Sequence, residues 1–237
     1  MQNLQNLQGL TFGAKKSYAS AAPAQTLPEY IQSLSGLVAY YQMDEASGNA
    51  INTAPDTIGT LDGTNSNITY STPGQVGDSY TYNGTTSQTV VANNAALQVT
   101  TGLTLGAIIR RDVTLNVENG ISTKTFYNLI LNSSGNIRLE IEAMGYTSVL
   151  SNGVVPSETW TYVIATYDMV NLKIYMNGVI DPNVGNRTDP ISTNSDDFRM
   201  GVHSGGFFPG ELQHEIVMNR AVTAEEVLTM AQLAGLA

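Results

Sequence analysis

Short apolar runs recur along most of this chain, and each is cut off by Gly, Asn, Asp or Pro. Gly36–Met43, Gln88–Val91, Leu103–Ile109, Tyr127–Leu131, Ile137–Ile141, Thr161–Tyr167 and Leu172–Met176 are rich in β-branched and aromatic residues and read as strands. Leu172, Ile174 and Met176 alternate onto one face. From Trp160 to Tyr167, Trp160, Tyr162, Ile164 and Thr166 share one face, while Val163, Ala165 and Tyr167 share the other. A strand apolar on both faces is expected to be buried on both sides. Asn132-Ser133-Ser134-Gly135 and Met176-Asn177-Gly178 are tight-turn signals. Many short strands with frequent turns predict a sandwich or a closed barrel.

The period changes near the end. Thr223-Ala224-Glu225-Glu226 has the form of a capping box, and Val227, Leu228, Met230 and Ala231 follow at helical spacing. One short helix is predicted over 224–233, ending near Gly235.

The start shows no sustained period. Gln-Asn-Leu is written twice, Gln-Gly-Leu follows, and Pro23 and Pro28 interrupt what comes after. A segment this polar does not found a core. Residues 1–35 are therefore read as an extended N-terminal attachment arm, ordered by other subunits through Leu4, Leu7, Leu10 and Phe12. Residues 36–237 are read as the folded domain.

Composition narrows the function classes. Hydrophobic residues make up 42% of the 237, enough for a core, but charged residues only 13%. Ten basic residues stand against twenty acidic ones, a net charge of −10. A nucleic-acid binder replaces phosphate counterions with Lys and Arg, so nucleic acid is excluded as a partner, and an anionic membrane with it. The absence of Cys removes disulfides, thiolate metal sites and Cys nucleophiles. No apolar run reaches the roughly 20 residues that span a bilayer. Lys15-Lys16 follow the weakly apolar stretch instead of preceding it, so no secretory leader is read and synthesis in a cytoplasm is expected.

The ordered set of motifs resembles the laminin-G-like, concanavalin A-like lectin/glucanase jelly-roll family, in its bacteriophage or bacterial type. Leu37–Gly48 looks like the opening strand and acidic turn. Pro73–Gly77 with Tyr82-Asn83-Gly84 looks like the second signature. Leu103–Arg110 is similar to the central inner strand, Trp160–Asp168 with Leu172–Val179 to a hairpin, and Asn219–Glu226 to the closing strand and helix cap. The resemblance spans roughly 36–233. It implies an all-β fold: a two-sheet antiparallel jelly-roll sandwich, here with an extended N-terminal arm and one short C-terminal helix.

Two departures bear on function. Some relatives use loop carboxylates to hold calcium, which takes about six to eight oxygens. Here Asn83 stands where the family often has Asp, and Thr85, Thr86 and Ser87 follow, so no cofactor is expected and calcium is weakly supported. Glu215, in Gln213-His214-Glu215, falls where an apolar core residue belongs; either a bulge shifts the strand or Glu215 has a buried partner.

Candidate catalytic groups are few. Related glucanases place two carboxylates about 5–5.5 Å apart on one inner strand. Glu140 and Glu142 share a face, but the third carboxylate of the glucanase pattern is missing, so both are read as an outward face with Leu139 and Ile141 inward. His203 and His214 have neither helical spacing nor Cys companions, so no metal site is expected. Asp196-Asp197 reads as a solvated turn.

Binding loops are better candidates. His203, Phe207 and Phe208 lie on a glycine-flanked loop that offers aromatic rings to a sugar or a neighbouring protein, although one Phe is expected to plug the sandwich end. Asp44, Glu45, Asn83 and Thr86 form a second polar set whose plainer role is turn capping. The first reading is a non-enzymatic virion structural protein: a capsid decoration, cement or fibre-base component, expected to be trimeric, whose partners are capsid subunits. The alternative is a carbohydrate-binding module or adhesin at a cell surface.

Overall fold

Each apolar run ends at a turn residue, and the strands so formed pair antiparallel into two large sheets. The structure, a computed structural model, describes residues 25–115, 117–204 and 206–237. The back sheet has nine strands. Its main path runs through Val179–Ile180, Asn171–Met176, Thr161–Tyr167, Leu103–Arg111, Pro209–Met218, Asp78–Asn83 and Thr69–Pro73. Leu37–Tyr41 also pairs with Pro209–Met218, and Gly185–Asn186 with Asn171–Met176. The front sheet has seven strands, in the order Tyr146–Val154, Asn136–Glu142, Tyr127–Leu131, Asn119–Lys124, Phe198–Met200, Gln88–Val91 and Thr64–Ser66. Neighbours distant in sequence and crossings between sheets make this a jelly-roll sandwich.

The alternation read from the sequence sorts the side chains as expected. Val163, Ala165 and Tyr167 join Leu105, Leu129, Leu139 and Phe198 in the core between the sheets. Tyr162 and Ile164 face the other way, into a second core on the outer side of the back sheet. That second core is roofed by two helices.

The C-terminal helix, α2, spans Ala224–Leu233 and is capped reciprocally by Thr223 and Glu226, as predicted. The other helix, α1, spans Leu27–Ser33 and corrects the expected arm boundary. Thr26 caps it, Glu29 reaches back to the Thr26 amide at 2.8 Å, and Pro28 sits in its first turn, where a missing N–H costs nothing. Leu27 and Ile31, one helical turn apart, are fully buried with Tyr40, Tyr162, Ile216 and Met230. Residues 26–34 therefore belong to the domain and are not extended. Leu4, Leu7, Leu10 and Phe12 lie outside the described residues.

The strand Pro209–Met218 resolves the Glu215 alternatives by containing both. Its pairing with Leu103–Arg111 slips between Gln213 and Ile216, and His214 has a φ of +51°, so a bulge is present. Gln213 and His214 both bond to the 75–78 turn, whereas Glu215 points between the sheets. There it is fully buried and hydrogen-bonded to the Ser122 hydroxyl of the front sheet. Burial pushes its carboxyl up to about 8, against a smaller lowering by Ser122. His214 accepts from the Tyr40 hydroxyl at 2.6 Å when its other nitrogen donates to the Val76 carbonyl at 3.2 Å, and burial brings it down to about 4.

Candidate functional site: a polar groove on the front sheet

Among the described residues, no helix lies over the outer face of the front sheet. Along Asn136–Glu142, Ile137, Leu139 and Ile141 point inward and Arg138, Glu140 and Glu142 outward, as the alternation predicts. The hairpin Val202–Phe207 covers one part of this face. It lies so close to Asn119–Lys124 that a Cβ on Gly120 would collide with the Val202 carbonyl. Beside the hairpin remains a groove of about 750 Å³. Thr123, Thr125 and Asn128 lie along it, with Glu140 and Tyr146 on one side and Ser195, Asp196, Asp197, Arg199 and His203 on the other.

One buried cation holds the second wall in place. Lys124 is 1% exposed, and its ammonium donates to Asn93 Oδ1 at 2.9 Å, to Asn194 Oδ1 at 3.1 Å and to the Asp196 carbonyl. Asp197 Oδ1 accepts from the Asn93 amide at 3.0 Å. Burial lowers the Lys124 pKa, and the nearby Asp196 and Asp197 carboxylates act in the opposite direction. The pair read as a solvated turn is thus a turn that forms the wall.

The floor and rim are polar and incompletely satisfied. Asn128 is 3% exposed and donates to the Thr125 carbonyl at 3.3 Å, but its Oδ1 has no partner among the described residues. His203 Nδ1 likewise has none, while Nε2 lies 3.5 Å from the Ser204 hydroxyl. Burial lowers the His203 pKa and so favours the neutral ring. Tyr146 stands at the rim with 62% of its surface exposed, its hydroxyl 3.5 Å from the Thr125 carbonyl.

Of the residues expected from sequence, only His203 lines this groove. Phe208 is a correction: it is fully buried in the sandwich core, edge-on to Tyr82 with centroids 6.5 Å apart, and presents nothing to a ligand. Phe207 is half-buried on the covering hairpin. Glu45 accepts from the Ile51 amide at 2.8 Å and from the Tyr80 hydroxyl at 2.5 Å, and Asp44 precedes it on an exposed turn. Asn83 Oδ1 collects the amides of Thr85, Thr86 and Ser87 at 2.8 to 3.1 Å, and its Nδ2 donates to Thr86 Oγ1. These are Asx-type turn bonds. They aim N–H groups at the loop centre, the opposite polarity to what calcium requires. Among the described residues no group of three His, Asp or Glu is placed to hold a metal.

Sequence reasoning missed Lys124, Asn128, Tyr146 and Arg199. A usable signal exists: the front strands carry polar residues at the positions that alternate away from the core.

The fold and groove define a jelly-roll sandwich with an open polar sheet face. A family model for the concanavalin A-like lectin/glucanases superfamily matches residues 83–228, and the chain belongs to that superfamily. No curated protein matches it. Among solved structures it is similar to domain 4 of AbnA, a GH43 extracellular arabinanase from Geobacillus stearothermophilus, in complex with arabinotriose. The TM-score is 0.65 and the identity 19%, over 83% of this chain and 98% of that one. It is also similar to the binding domain of Paraclostridial Mosquitocidal Protein 1 (TM-score 0.68, 12% identity, 85% and 52% covered). A third is the ligand binding domain of botulinum neurotoxin serotype D in complex with N-acetylneuraminic acid (TM-score 0.66, 11% identity, 88% and 52% covered). The chain spans about half the length of the two toxin domains.

Proposed function

We propose that this protein is a non-catalytic glycan-binding module whose site is the front-sheet groove. The observation that carries the reading is a solvent-open groove lined by hydroxyls, amide groups and carboxylates, with an exposed aromatic ring at its rim. Sugar hydroxyls bond to such groups, and a sugar's apolar face stacks on a ring like that of Tyr146. The fold is shared with two domains solved with sugars bound, which supports the same use here.

Binding fits the geometry better than hydrolysis. Hydrolysis needs a proton-holding acid beside a second carboxylate at the substrate. The carboxyl whose pKa is raised, Glu215, is sealed between the sheets and reaches no substrate. In the groove, Glu140 lies 3.5 Å from Arg138, which also grips Glu118 at 2.7 Å.

The test is a glycan array probed with the full chain, followed by titration of the best oligosaccharide against Tyr146→Ala. Binding is expected to weaken at least about tenfold with Tm unchanged, because the ring is exposed. Binding undiminished by Tyr146→Ala, or no glycan bound at all, would overturn the assignment. The expected virion role, its capsid partners and the trimer rest on Leu4, Leu7, Leu10 and Phe12, outside the described residues, and no feature of the groove favours them. A truncation testing that tether must stop before Thr26, because cutting at residue 35 removes α1.

A further inference from the structure

We infer that the groove takes glycans that are uncharged or carry an amine, and rejects sugars bearing carboxylate or sulfate. This inference rests on the glycan-binding reading and names the ligand class of that same site. It follows from an inventory of donors and acceptors.

Two cations beside the groove, Lys124 and Arg138, are already engaged. Lys124 directs its ammonium to Asn93, Asn194 and Asp196 beneath the wall. Arg138 grips Glu118 through two nitrogens at 2.7 Å each and lies 3.5 Å from Glu140. Arg199, the one guanidinium on the groove wall among the described residues, donates a single N–H to Gln88 Oε1 at 3.2 Å and shares the groove with the carboxylates of Asp196, Asp197 and Glu140. Burial lowers the His203 pKa, which favours its uncharged form.

The acceptors are less engaged. Asp196 is exposed on the wall, and Asp197 and Glu140 line the same groove. Asn128 Oδ1 lies at the floor, nine-tenths buried and without a partner among the described residues. A sugar hydroxyl or ammonium supplies donors. A sugar carboxylate or sulfate brings only acceptors at its charged end, into a site with three carboxylates on a chain of net charge −10. A matched site for an anion would show a guanidinium fork free for bidentate contact. Arg138 instead has its fork closed on Glu118, and Arg199 is outnumbered by the three groove carboxylates.

The experiment is isothermal titration of the full chain with three oligosaccharide sets of matched length: glucosamine oligomers, their N-acetylated forms and galacturonic acid oligomers. Measurements are made at pH 6 in low and high salt. The expected order is amine-bearing, then neutral, then acidic, with at least about tenfold between first and last, and with added salt narrowing the gap. Asp196→Asn and Glu140→Gln are expected to cut affinity for the amine-bearing set several-fold and to leave the neutral set within about twofold. Acidic oligomers binding as tightly as neutral ones would overturn the inference while leaving glycan binding standing. Equal affinity of wild type and both variants for the amine-bearing set would do the same. No heat with any of the three, together with an empty glycan array, would overturn the glycan-binding reading and this inference with it.

Discussion

The two outer faces of the sandwich are built from the same kind of antiparallel strand and have opposite fates. On the back sheet the outward residues include Tyr40, Ile108, Tyr162, Ile164, Ile216 and Met218, and α1 and α2 close over them. On the front sheet they include Thr123, Asn128, Arg138 and Glu140, and among the described residues a short hairpin and a loop lie over them. Apolar area left in water is unfavourable by about 25 cal/mol per Å², so the back face must be roofed. A polar face carries no such penalty and can stay open for a ligand. Residue choice at alternate positions thus decides which face is core and which is site.

The largest effect that can break this comparison comes from the roof. Ile31→Ala removes a fully buried side chain beneath α1 and is expected to cost about 2–5 kcal/mol. Thr125→Ala, on the open face, is expected to stay within about 0.5 kcal/mol. Urea unfolding of both variants reads the difference. If Ile31→Ala unfolds at the same urea concentration as Thr125→Ala, the second core contributes nothing and residues 26–34 are a passive tail after all.

Most of the sandwich was legible, and particular residues show why. Val163, Ala165 and Tyr167 with Tyr162 and Ile164 are an unbroken apolar run, which marks a strand buried on both faces. Thr223 with Glu226 marked α2 to the residue. Thr26 with Glu29, plus Pro28, spells the same signal for α1. It was lost among the polar residues before it, because a seven-residue helix shows too few turns for a period. The groove was legible only in part. His203 was singled out, but Lys124 binds Asn93 and Asn194 across 31 and 70 residues, and no local pattern announces such a contact. Phe208, expected on a loop that offers rings to a ligand, lies instead in the core, edge-on to Tyr82.

A middle-sized effect comes from two neighbours on one strand that face opposite ways. His214 faces the roofed side and Glu215 the space between the sheets. The folded-state pKa of His214 is depressed to about 4, so its contribution is present above its unfolded value and is lost as pH falls toward 4. The folded-state pKa of Glu215 is raised to about 8, so its contribution is present below its unfolded value and is lost as pH rises to 8. Between the two unfolded values the slopes offset each other. From about pH 6.5 to 8 only the Glu215 slope remains, and stability is expected to fall by about 1 kcal/mol per pH unit. Glu215→Gln is expected to remove that fall and to leave a rise with pH on the acid side. A wild-type stability that climbs from pH 6.5 to 8 in urea titrations would contradict the placement of Glu215 between the sheets.

The smallest effect concerns the border of the open face. Tyr146–Val154 is the long edge strand of the front sheet and contains no charged residue. Such an edge invites pairing with another chain. Part of it is plugged from the back sheet's side: Asp181 accepts from the Asn152 amide at 3.0 Å and the Gly153 amide at 2.9 Å, and Asn183 Nδ2 donates to the Leu150 carbonyl at 3.1 Å. Burial raises the Asp181 pKa, but its backbone N–H donors, those of Asn152, Gly153 and Asn183, outweigh that and leave it lowered. Its contribution is therefore present above its unfolded pKa and lost as pH falls through the depressed value. Asp181→Ala is expected to cost about 1–2 kcal/mol by leaving those amides without a carboxylate partner. It is also expected to raise self-association with protein concentration in sedimentation velocity, while binding in the groove persists. A variant that stays monomeric when the wild type does, with unchanged stability, would mean that the edge is protected by its twist and short open length, and that the carboxylate is incidental. Either result bears on the comparison: the front sheet tolerates an open face because its outward residues are polar and stay solvated, but an open edge offers its hydrogen bonds to any strand that arrives.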